Sequence, residues 1–221
     1  MEFDYRILIR FYPLLLDGLS MTLFIFVASL ILGTAIGLIA CLGRLTPRGI
    51  AYRVSTYFVD FFRTVPEIVL VFWAYYCLPL LLGAQMPATL TGIIALSVYA
   101  GAFLAEIFRA GILAVPRDQV DAAYALAIPV YYIWRRVILP QAFRRMMPAF
   151  INFMTELLKT SALLMTIGVG EMAYRANILG QETYRFVEFL TAVGLMYFIL
   201  IFPLSLYARR SERRFVLRTG Q

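Results

Sequence analysis

The sequence has 221 residues, of which 62% are hydrophobic and 15% charged, and its mean hydropathy is +0.81. A soluble domain carries about a quarter charged residues, so this composition excludes an ordinary soluble protein and predicts that lipid covers part of the surface. The net charge of +7 indicates arginines gathered on one membrane face rather than nucleic-acid binding.

Five stretches are long and apolar enough to cross a bilayer, which takes about 20 residues. We predict spans at about residues 18–43, 56–82, 88–110, 146–170 and 188–208. The second and third are separated by Pro79 and a turn at residues 83–87, because proline lacks an N–H and its ring clashes with a continuing helix. Residues 1–221 are therefore predicted to form a single all-α integral membrane domain.

The arginines that flank these spans fall mainly on one side of the membrane. That side holds Arg44, Arg48, Arg53, Arg109, Arg117, Arg135, Arg136, Arg144, Arg145, Arg209, Arg210, Arg213, Arg214 and Arg218. The other side holds Arg6, Arg10, Arg175 and Arg185. Since basic residues favour the cytoplasmic side, we predict a multi-pass protein with its N-terminus outside and its C-terminus in the cytoplasm.

The cytoplasmic segment between the third and fourth spans, about residues 111–145, contains two predicted short helices. Asp118 and Asp121 resemble a capping box at the start of the first helix, and Pro129 is predicted to end it. An apolar stripe lies along one side of the first helix, at Val120, Ala123, Tyr124, Ala127 and Ile128. Such a stripe packs either on the chain's own helices or in a groove on a soluble partner.

The second short helix is predicted at about residues 131–139, and it stops before Pro140. Its apolar face carries Tyr131, Trp134 and Ile138.

Four of the ionisable residues within the predicted spans are candidates for a substrate path. Glu156 and Lys159 are three residues apart and share one helix face. They form either a structural ion pair or part of a route that meets a zwitterionic solute. Arg63 and Glu106 lie near the cytoplasmic ends, where an interfacial arginine and a bundle-internal glutamate are one interpretation and a place on the same route is the other.

Several kinds of chemistry are not predicted. The chain has no histidine, and Cys41 and Cys77 lie in apolar stretches, so we predict no metal site. The sole lysine, Lys159, follows Leu158 rather than a glycine-rich turn, so we predict no phosphate-binding loop. Without a histidine base, a cysteine cluster or paired carboxylates, no catalytic residue is predicted either.

A spaced pattern runs through the cytoplasmic segment. It consists of Asp121, Ala122, Ala123, Ala127, Val137, Ile138, Leu139 and Pro140. This pattern resembles the EAA motif of permease subunits in binding-protein-dependent ABC importers. The family pattern is Glu-Ala-Ala, three residues, Gly, nine residues and Ile-x-Leu-Pro, so Asp121 stands in place of Glu, Ala127 in place of Gly and Val137 in place of Ile.

Other segments resemble the polar amino acid branch of that family, which includes histidine, glutamine and opine importers. The segment at residues 62–66, Phe-Arg-Thr-Val-Pro, is similar to the family's Phe-Arg-Gly-Thr-Pro. Residues 99–109, residues 139–144, Asn152 and residues 158–161 continue the similarity. The resemblance extends from Gly18 to Arg214.

The resemblance implies a subunit of an ATP-driven importer for polar amino acids or related solutes in the bacterial inner membrane. The implied partners are a second permease subunit, identical or related, two ATPase subunits that use ATP and Mg, and an extracytoplasmic solute-binding protein. The implied ATPase-docking residues are Asp118, Val120, Asp121, Ala122, Ala123, Tyr124, Ala127, Ile128, Leu139 and Pro140. The alternative is a self-sufficient secondary transporter or channel.

Overall fold

The computed structural model describes residues 4–46 and 49–219, with side chains described as far as Arg210. Arg48 lies outside the described residues, and only the backbone is described for Arg213, Arg214 and Arg218. The helices are α1 (Tyr5–Leu45), α2 (Ile50–Thr64), α3 (Glu67–Tyr76), α4 (Leu78–Leu82), α5 (Ala88–Leu113), α6 (Arg117–Ala125), α7 (Val130–Tyr132), α8 (Leu139–Thr160), α9 (Met172–Thr183) and α10 (Phe186–Thr219). A π-helical segment, Ile133–Ile138, joins α7 to α8, and a 3-10 helix, Ser161–Ile167, follows α8.

Four helical stretches of the described part are long and apolar enough to cross a membrane. They are Tyr5–Leu45, Ala88–Leu113, Val130–Ile167 and Phe186–Arg210. A fifth crossing is formed by two helices with a bend of 105° between them, Ile50–Thr64 and Glu67–Leu82. The prediction of an all-α membrane protein with about five spans is confirmed.

The bend in the second span differs from the continuous helix predicted at residues 56–82. It lies at Val65 and Pro66, and Pro66 precedes α3 with extended backbone angles. Proline has no N–H to continue the α2 ladder, and the residue before a proline is pushed out of the helical region. The chain therefore changes direction inside the span.

The predicted stop before Pro140 is wrong. Pro140 lies in the first turn of α8, directly after the π-helical segment, and the chain stays helical from Val130 to Thr160. A change from π to α hydrogen bonding falls at this proline, where a missing N–H is tolerated as it is in any first helical turn.

Helix α5 lies at the centre of the bundle and packs closely on α1 through small residues. A Cβ added to Gly33 would lie 2.6 Å from Ala100 Cβ, and one added to Gly37 would lie 2.9 Å from Leu104 Cβ. Small residues four apart let two membrane helices approach until their backbones nearly touch. Around this seam the core includes Leu70 of α3 and Leu157 of α8.

The sequence did not predict α9, which lies between the last two spans. Glu171 precedes it, is fully buried and accepts hydrogen bonds from Ala173 N at 2.9 Å and Tyr174 N at 2.7 Å. The Tyr197 hydroxyl on α10 donates to the same carboxyl group at 3.1 Å. Glu171 therefore caps α9 and attaches it to α10.

Candidate functional site

One face of the C-terminal half of α8 is exposed and mainly polar. Its exposed residues recur at helical spacing and are Ala149, Asn152, Glu156 and Lys159. The intervening residues Ile151, Phe153, Leu157 and Leu158 are buried in the bundle. Helix α8 therefore presents an apolar side to its own chain and a polar side to whatever lies beyond.

Glu156 and Lys159 form an ion pair on this face. Lys159 Nζ lies 2.7 Å from Glu156 Oε2, and about half of each side chain is exposed, 52% for Lys159 and 51% for Glu156. Ionisable groups within membrane spans are expensive in lipid, and they face a protein partner or water. An exposed pair at this depth requires that another subunit or a water-filled route covers the α8 face.

Sequence reasoning missed Glu67 and Tyr99, which lie beside this pair. The Tyr99 hydroxyl of α5 donates to Glu67 Oε1 at 3.1 Å, and the Tyr99 ring centre lies 6.1 Å from that of Phe153 on α8. The available signal was a glutamate directly after Pro66 inside an apolar span, because an intramembrane charge beside a helix break is typical of a functional position.

A pocket of about 360 Å³ lies between the C-terminal half of α5 and the N-terminal half of α8. It is lined by Arg63, Phe103, Glu106, Ile107, Ala110, Gly111, Ala114, Arg145, Met146 and Ala149. Arg63 and Glu106, both predicted route residues, thus meet in one cavity. Ala149 belongs to the polar α8 face as well, so the pocket and the Glu156–Lys159 pair lie along the same side of the helix, about 10–15 Å apart along its axis.

Glu106 also has a structural role. Arg44 Nη1 of α1 lies 2.7 Å from Glu106 Oε2, and Arg109 pairs with the other carboxylate oxygen. The arrangement matches the interpretation of Glu106 as a bundle-internal charge, because it connects α1 to α5 while it forms part of the pocket wall.

The predicted docking residues on and around α6 divide into a buried set and an exposed set. Ala123 is buried against Val115, Ile133, Ile138 and Ala142, with Val120 and Ile128 partly buried around it. The exposed set is Asp118, Asp121, Ala122, Tyr124, Ala127, Leu139 and Pro140. The apolar stripe therefore packs mainly on the chain itself, and the opposite side of α6 is the one open to a partner.

The predicted capping box at Asp118 is wrong. Helix α6 begins at Arg117 after Pro116, and no side chain caps its first turn. Proline is accepted at this boundary because the first helical N–H groups have no partner in any case. The same end of α6 is attached to α8 by Gln141 Nε2, which donates to Gln119 Oε1 at 2.7 Å, a contact that sequence reasoning missed.

A Schellman turn closes α6. Ile128 N donates to Ala123 O at 3.1 Å and Ala127 N donates to Tyr124 O at 2.9 Å. Ala127 has a φ of 54°, in the left-handed region that favours glycine. Ala127 therefore occupies a position whose backbone conformation suits glycine. Glycine is also the residue that the EAA motif has at this position.

Comparison with known proteins finds a match to the family described as binding-protein-dependent transport system inner membrane component, over residues 29–217. The chain is 34% identical over 214 residues to the arginine transport system permease protein ArtQ of Bacillus subtilis (strain 168), covering 97% of this chain and 98% of the relative. It is 33% identical over 215 residues to the glutamine transport system permease protein GlnP of Escherichia coli (strain K12), with coverages of 97% and 98%. A crystal structure of an amino acid ABC transporter with histidines is similar, with a TM-score of 0.88 and 30% identity, and the match covers 97% of this chain and all of that one.

Proposed function

Because this chain belongs to the family of binding-protein-dependent transport system inner membrane components, we propose that it is the membrane-spanning subunit of an ATP-driven importer for polar amino acids or related solutes. It works in the bacterial inner membrane with its N-terminus outside, beside an extracytoplasmic solute-binding protein. Similarity to amino-acid permeases over nearly the whole chain supports this solute class.

The observation that carries the proposal is the half-exposed Glu156–Lys159 pair on α8. Charged side chains at this depth do not face hydrocarbon, so this face lines a translocation path that a second permease subunit completes. The ammonium of Lys159 and the carboxylate of Glu156 offer opposite charges to the two ends of a zwitterionic amino acid. Arg63 and Glu106 lie on the same path, nearer the cytoplasm.

The exposed side of α6 is the proposed contact with the ATPase subunits. Asp118, Asp121, Ala122 and Tyr124 face away from the bundle, while Gln141 and the apolar cluster around Ala123 hold α6 on the cytoplasmic end of α8. Closure of the ATPase subunits around ATP and Mg pushes α6, and this contact with α8 passes the movement to the path. This chain binds neither ATP nor a metal in the proposal.

The experiment is uptake into proteoliposomes that contain this chain with its partner subunits and its binding protein. We expect uptake to require ATP and to persist when ion gradients are collapsed. Changing Lys159→Gln should raise KM at least about tenfold, since it removes a charge-assisted contact with the solute carboxylate. Asp17→Asn, which removes an ion pair with Arg175 elsewhere on the surface, is the matched control and should leave KM unchanged.

Two results would count against the proposal. If the Lys159→Gln variant had the native KM, Lys159 would not contact the solute on the path. Uptake driven by an ion gradient without ATP would favour the secondary-transporter alternative. The bend inside the second span is a feature that such transporters share, because their substrate sites are often formed by broken helices.

A further inference from the structure

The pocket lined by Phe103 and Arg63 differs chemically from the surface around the Glu156–Lys159 pair. We infer that it is a second solute subsite, an oxyanion site on the cytoplasmic side in which Arg63 binds the α-carboxylate of the amino acid before release. The inference rests on the proposed function, because it places the pocket on the exit side of the same path.

Arg63 is arranged as an oxyanion donor. Its guanidinium carbon lies 5.3 Å from the centre of the Phe103 ring, and an arginine held over an aromatic face keeps its N–H groups directed outward from the edge of the guanidinium. Phe103 is itself fixed by stacking on Phe153, with ring centres 5.6 Å apart. The side chain is therefore positioned in advance for two parallel hydrogen bonds to a carboxylate.

The one acidic side chain of the pocket does not cancel this charge. Glu106 is already paired with Arg44 at 2.7 Å and with Arg109, so Arg63 is a third arginine around this single carboxylate. Basic groups thus outnumber acidic ones around the cavity, so an anionic group is favoured inside it.

The remaining walls set the size of the ligand. Small side chains at Ala110, Gly111, Ala114 and Ala149 leave a volume of about 360 Å³, near the lower end of the range for small-molecule sites, roughly 300–1,000 Å³. Gly111 has no room for a larger residue, because an added Cβ would lie 2.8 Å from Met146 Cβ. An amino acid fits such a cavity, with its carboxylate on Arg63.

Position supports transfer along one path. Ala149 belongs both to the pocket and to the polar face of α8 that carries Glu156 and Lys159. A solute whose carboxylate leaves Lys159 and moves along this face toward the cytoplasm next meets Arg63. The two cations thus offer successive contacts for the same functional group.

The test uses the full importer complex in phosphatidylcholine nanodiscs, without nucleotide or binding protein. A bimane dye on Ala114→Cys, with Cys41 and Cys77 replaced by alanine, reports on the pocket. The probes are L-arginine, L-histidine and L-glutamine, compared with agmatine, histamine and 4-aminobutanamide, which are the same three amino acids without the carboxylate. We expect a saturable response to at least one amino acid and none to its analogue that lacks the carboxylate.

Replacing Arg63→Gln should weaken that amino acid's apparent affinity by about tenfold or more, the effect of losing a charge-assisted hydrogen bond. Arg53→Gln, on the same helix but outside the pocket lining, is the matched control and should change nothing. An affinity within twofold of native in the Arg63→Gln complex overturns the inference, as does an equal response to the analogues or no response to any amino acid.

Two further arms identify the source of the oxyanion. If inorganic phosphate saturates the response at lower concentration than the amino acids, or if phosphatidylglycerol in the nanodisc abolishes it, the pocket holds a phosphate group and the inference fails. A response that depends on the carboxylate and on Arg63 in a complex without ATP-driven uptake would refute the proposed function but not the oxyanion site. Normal uptake with no effect of Arg63→Gln on binding would refute only the site.

Discussion

Ala127 is held in a backbone conformation that disfavours its own side chain. Its φ of 54° places the Cβ in the left-handed region, which costs an L-residue about 1 kcal/mol or more. The two Schellman hydrogen bonds and the packing of Ile128 beside Ala123 keep it there. Local strain of this kind persists only when surrounding contacts determine the conformation.

We therefore expect Ala127→Gly to stabilise the protein by about 0.5–1 kcal/mol, since relief of the strain exceeds the added entropy of the unfolded chain. Thermal unfolding in detergent measures the change. Ala125→Gly, inside the last turn of α6, is the matched control and should destabilise by a similar amount. A lower unfolding temperature for Ala127→Gly would contradict the role assigned to the positive φ.

The α1–α5 seam is the element on which the bundle depends most directly. Gly37→Val should destabilise the protein by about 1–3 kcal/mol, because its Cβ would lie 2.9 Å from Leu104 Cβ and the helices would have to separate. Gly194→Val is the control, since Gly194 has nothing within 4 Å of the added atom. Equal unfolding temperatures for both variants would mean that the seam tolerates the extra volume.

Substitutions at the adjacent alanines of α6, Ala122 and Ala123, test docking and folding separately. Ala122→Glu should reduce copurification of the ATPase subunits and leave the free energy of unfolding within about 0.5 kcal/mol of native, because Ala122 is exposed. Ala123→Glu places a charge in a buried apolar cluster and should destabilise the chain by more than about 2 kcal/mol. Loss of copurification in a stable Ala122→Glu variant supports the docking side, and retained binding would exclude it.

Sequence reasoning succeeded where one local property determines an element. Apolar length was sufficient for the spans, because a bilayer imposes that length on each crossing. The helical spacing of apolar residues in α6 predicted an apolar stripe through Ala123. It did not predict which surface the stripe packs on, since an apolar face packs equally well on its own chain or on another. Burial of Ala123 makes its own chain the partner.

The candidate site was only half accessible from the sequence. Glu156 and Lys159 stood out as charges within a span, and their spacing alone placed them on one face. Glu67 was not singled out, because the proline before it marks a break without giving the direction of the next helix. Packing of α3 on α5 sets that direction and brings Glu67 to Tyr99.

At the scale of the whole molecule, the exposed surface divides into a lipid-facing and a polar part. Helix α10 exposes Leu195, Phe198 and Ile199, which suit hydrocarbon, whereas the α8 face exposes Asn152, Glu156 and Lys159. The isolated chain therefore has one side that lipid alone does not satisfy.

Thiol labelling should distinguish the two sides in the assembled complex. With Cys41 and Cys77 replaced by alanine, Ala149→Cys should react with a membrane-impermeant maleimide in inside-out vesicles, because its face is reached by water. Leu195→Cys is the control and should remain unlabelled, since hydrocarbon excludes a charged reagent. Equal labelling of both positions would show that the α8 face is not an aqueous path.

The contacts of the N-terminal half of α1 also impose an order on biosynthesis. Asp4 N donates to Glu188 Oε1 at 3.3 Å, and Met172 N donates to Thr22 Oγ1 at 3.1 Å. Helix α1 thus needs partners that are translated more than a hundred residues later, while its seam with α5 can form earlier. Until α9 and α10 are inserted, the N-terminal half of α1 lacks these native neighbours, so it remains unpaired longer than the half that packs on α5.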